Sequence, residues 1–66
     1  MNKMTQIPEL NKIVDDARTK MRRIETRINK GGLTLNQQEK YLAWYEMSQT
    51  RERMALAQIR DILWIY

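Results

Sequence analysis

The chain has 66 residues, with 12 Lys and Arg against 8 Asp and Glu, a formal net charge of +4, and neither Cys nor His. These counts exclude disulfides, thiolate or imidazole metal sites, and catalysis by a Ser-His-Asp or Cys-His arrangement. A chain this short buries only about 60% of its unfolded surface, so we expect it to gain stability by association.

Residues 1–6 form a polar lead-in without the apolar stretch of a secretion signal. No later segment approaches the roughly 18 consecutive apolar residues that a membrane span needs. We therefore expect a cytoplasmic protein without a membrane span, organised as one domain over residues 1–66.

Residues 8–30 are predicted to form the first helix. Pro8 suits the first helical turn, where its missing N–H leaves no hydrogen bond unmade. Apolar residues then alternate at spacings of three and four, which is the pattern of a coiled-coil seam. These positions are Ile7, Leu10, Val14, Ala17, Met21, Ile24 and Ile28.

Residues 31–34 are predicted to form a tight turn. Gly31 and Gly32 directly follow the last seam position, where glycine favours the end of a helix. Thr34 and Gln37 have the spacing of a capping box, so the second helix is predicted over residues 35–64. A connection this short makes the helices antiparallel neighbours, and the fold class is an all-α, coiled-coil-like helical hairpin.

The second helix carries two apolar stripes, and the first is predicted to pack on helix 1. Its members are Leu42, Tyr45, Leu56, Ile59 and Leu63. Gln49 and Glu52 interrupt this stripe. Either they turn outward to water, or they form a polar layer that fixes register and oligomeric state, with Arg18 or Gln49 of a second copy as the natural partner.

The second stripe is predicted to be a protein interface, because helix 1 cannot cover both faces. It comprises Trp44, Met47, Met54, Ile62 and Ile65. Trp, Tyr and Met are enriched at interface cores. The register of the turn leaves residues 62–66 beyond the end of helix 1, which adds Trp64 and Tyr66 to the predicted interface. The hairpin is therefore expected to pair into a homodimeric four-helix bundle or to dock on a larger protein.

Basic residues concentrate in the second half of helix 1, among them Arg18, Arg22, Arg23 and Arg27. One interpretation is solubilising charge near a helix C-terminus. The other is a surface for an acidic partner or a phosphate, since Arg presents a forked donor to both. Binding to nucleic acid is only weakly indicated, because no helix-turn-helix spacing or aromatic ladder accompanies the charges.

The sequence offers no catalytic residues, no metal ligand set and no cofactor motif, because most of its carboxylates fall on faces that the pattern assigns to solvent. We expect a non-enzymatic protein-protein interaction module that binds a larger protein and inhibits or bridges it. Such chains are typical of phage or mobile-element accessory proteins. The alternatives are a basic hairpin that binds nucleic acid and a structural subunit of a larger assembly.

Overall fold

The computed structural model describes the backbone of residues 3–65 and the side chains of residues 4–64. A short 3₁₀ helix, Lys3–Gln6, leads directly into helix α1, Ile7–Lys30, which is followed by helix α2, Leu35–Ile65. The two long helices pack along each other, and the described chain measures 49 × 15 × 14 Å. The predicted helical hairpin is confirmed. Pro8 lies in the first turn of α1, as predicted, and the helix begins one residue earlier than the predicted start.

The turn between the helices follows the predicted chemistry. Gly31 has φ 80° and ψ −173°, a backbone conformation that is essentially restricted to glycine, and its N–H donates to the Ile28 carbonyl at 3.1 Å. The Gln37 N–H donates to the Thr34 hydroxyl at 3.2 Å, and the Thr34 N–H donates to the Gln37 side-chain oxygen at 3.0 Å. This reciprocal capping box fixes where α2 begins.

The seam of α1 lies where the spacing of its apolar residues predicts it. Leu10, Val14, Ala17 and Ile24 are buried, and the other three seam positions are half-buried. Each full turn of α1 therefore presents an apolar side chain to α2.

Only part of the predicted stripe of α2 faces α1: Tyr45 and Ile59 lie on the seam, as predicted. Leu42, Leu56 and Leu63 are exposed, so the prediction that they pack on α1 was wrong. The residues that face α1 also alternate at spacings of four and three, but several are small or polar: Tyr41, Tyr45, Ser48, Glu52, Ala55, Ile59 and Ile62. Apolar residues occur on every side of α2, so the largest ones did not mark the side that α1 covers.

The main buried cluster lies at the end of the hairpin away from the turn, while Ala17 and Ile24 of α1 are buried closer to the turn. Leu10 and Val14 of α1 form a buried cluster with Ala55 and Ile62 of α2, and three isoleucines pack against it: Ile7, Ile13 and Ile59. Nearer the turn, α2 contributes Tyr41, Tyr45 and Ser48, which have polar groups. Neither long helix, over the part of the chain that the structure describes, is apolar enough to span a membrane.

Candidate interaction surfaces

The structure has two candidate interaction surfaces, and Trp44 is the central residue of the first. It lies three residues after Tyr41 on α2, and the two rings meet edge to face, with centroids 5.3 Å apart and planes at 89°. Tyr41 is half-buried against α1, so this contact ties the indole to the seam. Trp44 nevertheless remains 51% exposed, so about half of its surface is available to another molecule.

A groove of about 710 Å³ runs between the helices beside Trp44, and we call it the tryptophan groove. Its apolar lining comes from both helices: Ile13, Ala17, Ile24, Trp44 and Met47. Its charged lining is mainly cationic, with Lys20, Arg23 and Arg51 against Asp16. None of these three cations forms an ion pair with another described residue. The groove thus combines an apolar floor with unneutralised positive charge.

The residues of the predicted interface stripe do not all lie on the surface of the protein. Trp44, Met47 and Met54 are exposed, as an interface prediction requires. Ile62 is only 6% exposed and belongs to the core, so its assignment to the interface was wrong. The physical reason is register: the spacing of three and four along α2 brings Ile62 onto the seam with Ala55.

The end of α2 is less open than the register of the turn predicted. Because Ile62 is buried, the part of α2 that extends beyond its partner does not begin there. Trp64 is 87% exposed and stays a predicted contact. The predictions for Ile65 and Tyr66 concern side chains outside the described residues.

The four arginines of the basic block do not converge on one site. Arg18 binds Glu52, and Arg27 donates to the Gly31 carbonyl at 3.3 Å. Arg23 lines the tryptophan groove, and Arg22 is exposed outside it. The role of the block in binding an acidic partner or a phosphate stays a prediction, with Arg23 the member best placed for the former.

Two polar links join the helices on the side opposite the tryptophan groove. The Arg18 guanidinium donates to the Glu52 carboxylate at 2.9 Å, and the Tyr45 hydroxyl donates to the Glu25 carboxylate at 2.8 Å. The two links are one heptad apart on each helix, so both hold the same register. The contact between Glu52 and Arg18 agrees with the polar layer that was one of the two interpretations of the interrupted stripe.

The Glu25 carboxylate raises the pKa of Tyr45 above its ordinary value of 10.0, first by accepting its hydrogen bond and then by its negative charge. A group whose pKa is higher in the folded state stabilises the fold fully below its unfolded pKa. That stabilisation is lost as the pH rises through the folded value. The link between Tyr45 and Glu25 therefore weakens in alkaline solution.

We expect Tyr45→Phe to remove part of the alkaline destabilisation of the hairpin, because the variant has no phenol to ionise beside Glu25. Melting temperatures followed by circular dichroism, from neutral pH to about pH 11, measure this. Tyr41→Phe is the matched control, since Tyr45 and not Tyr41 donates to Glu25, and it should keep the wild-type profile. Identical profiles for the two variants would contradict the assignment.

The second candidate surface was not predicted from the sequence, because three of its leucines were assigned to the stripe that packs on helix 1. Four leucines and one glutamine recur at intervals of seven residues along α2, and we call them the leucine face: Leu35, Leu42, Gln49, Leu56 and Leu63. The leucines are between 39% and 72% exposed. Each of the last four members directly follows a seam residue, so the face lies about 100° around α2 from those residues. The unbroken seven-residue spacing was the signal that could have identified it.

No protein-family model matches this chain, and comparisons with curated proteins and with solved structures found no match either.

Proposed function

We propose that this chain is a non-enzymatic protein-interaction module that binds a larger protein through the tryptophan groove and thereby inhibits it or bridges it to another molecule. The observation that carries the proposal is the half-exposed Trp44 beside an apolar groove with a cationic rim. Contiguous exposed apolar surface rimmed by polar residues is typical of protein-binding sites. The proposal includes a cytoplasmic location and a homodimeric free state, as in an accessory protein of a phage or mobile element.

The groove also indicates the chemistry of the partner. Its floor accepts apolar side chains, while Lys20, Arg23 and Arg51 favour carboxylates at the edge of the contact. An amphipathic helix with an apolar stripe and acidic flanks has both properties and is a common ligand of grooves between helices. Trp44, which is tied to Tyr41 yet exposed, is suited to be the anchor of such a contact.

The test begins with site-specific capture. A photo-crosslinking residue replaces Met47 in the groove or, as a control, Thr50 on an exposed turn of α2 outside the groove. We expect an acidic protein from host cells to be captured from position 47 and not from position 50. Equal capture at both positions would argue against the groove as the binding site.

The captured partner then allows a quantitative measurement. We expect Trp44→Ala to weaken its binding about tenfold or more in calorimetry, because truncating a central aromatic anchor costs more than about 1 kcal/mol. Thr50→Ala is the control, since it truncates an exposed side chain of α2 that lies outside the groove. The proposal fails if both variants bind as the wild type does while retaining its helix content.

A further inference from the structure

The leucine face is symmetric about its centre. Leu42 and Leu56 lie at equal distances from Gln49, and so do Leu35 and Leu63. When two copies of α2 run antiparallel around a two-fold axis at Gln49, Leu42 of one meets Leu56 of the other, and Leu35 meets Leu63. Such self-complementarity is what an isologous dimer interface requires. The contact would extend over about 42 Å at 1.5 Å per residue.

The charges beside the leucine face have the matching symmetry. Each lies four residues after a member of the face, on the side away from α1, and all are exposed: Glu39, Glu46, Arg53 and Arg60. The acidic pair is in the first half of α2 and the basic pair in the second half. Antiparallel pairing therefore brings Glu46 beside Arg53 of the second copy, and Glu39 beside Arg60. In a parallel pair each charge would lie at the level of its own kind, so no acidic side chain would be brought beside a basic one.

Contacts within one chain leave these charges available. Glu46 and Arg53 are seven residues apart on the same helix, about 10 Å along its axis, and form no ion pair with any described residue. Arg60 lies 3.6 Å from the adjacent Asp61, with both side chains largely exposed. An exposed contact of this length offers little resistance to rearrangement.

We infer that the leucine face is the docking site for a second copy of this chain, which pairs α2 with α2 in an antiparallel dimer around a two-fold axis at Gln49. Gln49, half-buried at the centre, can both donate and accept a hydrogen bond across the axis. A central polar pair of this kind fixes register in coiled coils. This deepens the homodimer of the proposed function, with a different face from the predicted one, and leaves the tryptophan groove of each copy open.

Charge reversal with rescue tests this inference, and the exposed positions involved should not disturb the fold of the hairpin. Glu46→Arg and Arg53→Glu are each expected to raise the dimer dissociation constant about tenfold, measured by sedimentation equilibrium, because each change places two like-charged pairs across the axis. The double variant E46R/R53E should return to within about twofold of the wild type. Arg51→Glu is the control, since its side chain lines the tryptophan groove on the other flank.

A second pair of variants distinguishes the faces through their apolar residues. We expect Leu42→Ala to weaken dimerisation and Met47→Ala to leave it unchanged, with circular dichroism verifying the helix content of both. The reverse result would overturn the leucine face while preserving the homodimer of the proposed function. A wild-type monomer, or assembly beyond a dimer, would overturn the closed antiparallel pair, and the partner measurements on Trp44→Ala would still stand by themselves.

Discussion

Replacing Ile62 with Ala should lower the free energy of unfolding by about 2–5 kcal/mol, the cost of removing a large aliphatic side chain from a packed core. Ile62 is 6% exposed and packs with Leu10, Val14 and Ala55. The surrounding side chains come from two helices held in register, so they cannot fully collapse into the space. Urea denaturation at a fixed protein concentration measures the change.

Trp64→Ala supplies the control two residues further along the same helix. Its side chain is 87% exposed, so its removal should change stability by no more than about 0.5 kcal/mol. A large loss for Trp64→Ala together with a small loss for Ile62→Ala would show that α2 is rotated from the orientation that buries Ile62.

Enlarging Ala55 should also destabilise the hairpin. Ala55 is 3% exposed and lies in the same cluster as Ile62, so Ala55→Leu forces additional atoms between the helices at a cost of about 1–3 kcal/mol. The expected result is a lower denaturation midpoint with an unchanged dependence on denaturant.

Ala43→Leu introduces the same side chain on the exposed side of α2. Leu and Ala have similar helix propensities, so the control should change stability by only a few tenths of a kcal/mol. If both leucine variants were equally stable, the small side chain of Ala55 would not be needed for the approach of the helices.

Helix α1 and the turn were predictable because their signals are local and agree with one another. The seam of α1 has one apolar stripe, and polar residues such as Asp15 and Arg22 occupy its other sides. The glycine pair and the capping box of Thr34 and Gln37 each have one structural interpretation. Short-range patterns of this kind determine where helices begin and end.

The orientation of α2 was not predictable from the size of its apolar residues. Its seam uses Ser48, Glu52 and Ala55, and the larger Leu56 and Met54 remain outside. Small residues permit the close approach, and Glu52 is held by Arg18 across the interface. The side of α2 that faces α1 is therefore selected by tertiary contacts, which a scan for the largest apolar stripe does not include.

The candidate surfaces were only partly predictable, because they too depend on which side of α2 faces α1. The exposure of Trp44, Met47 and Met54 agrees with an apolar face that α1 cannot cover. The groove could be recognised only in the structure, because Ile13 and Lys20 of α1 line it and no local sequence pattern links them to α2. The leucine face is recognisable as a surface because Leu42, Leu56 and Leu63 are exposed in the structure and do not belong to the core.

The main buried cluster lies far from the turn that joins the two helices, so the most stabilising contacts are not the ones closest along the chain. Closing the loop between Leu10 and Ile62, about 50 residues long, costs only about 1 kcal/mol more entropy than closing one of about 20 residues, because the cost rises with the logarithm of loop length. The main buried cluster lies at this far end, while the covalently joined end contributes Tyr41, Tyr45 and Ser48. We therefore expect local opening to start beside the turn and the free ends of the hairpin to separate last.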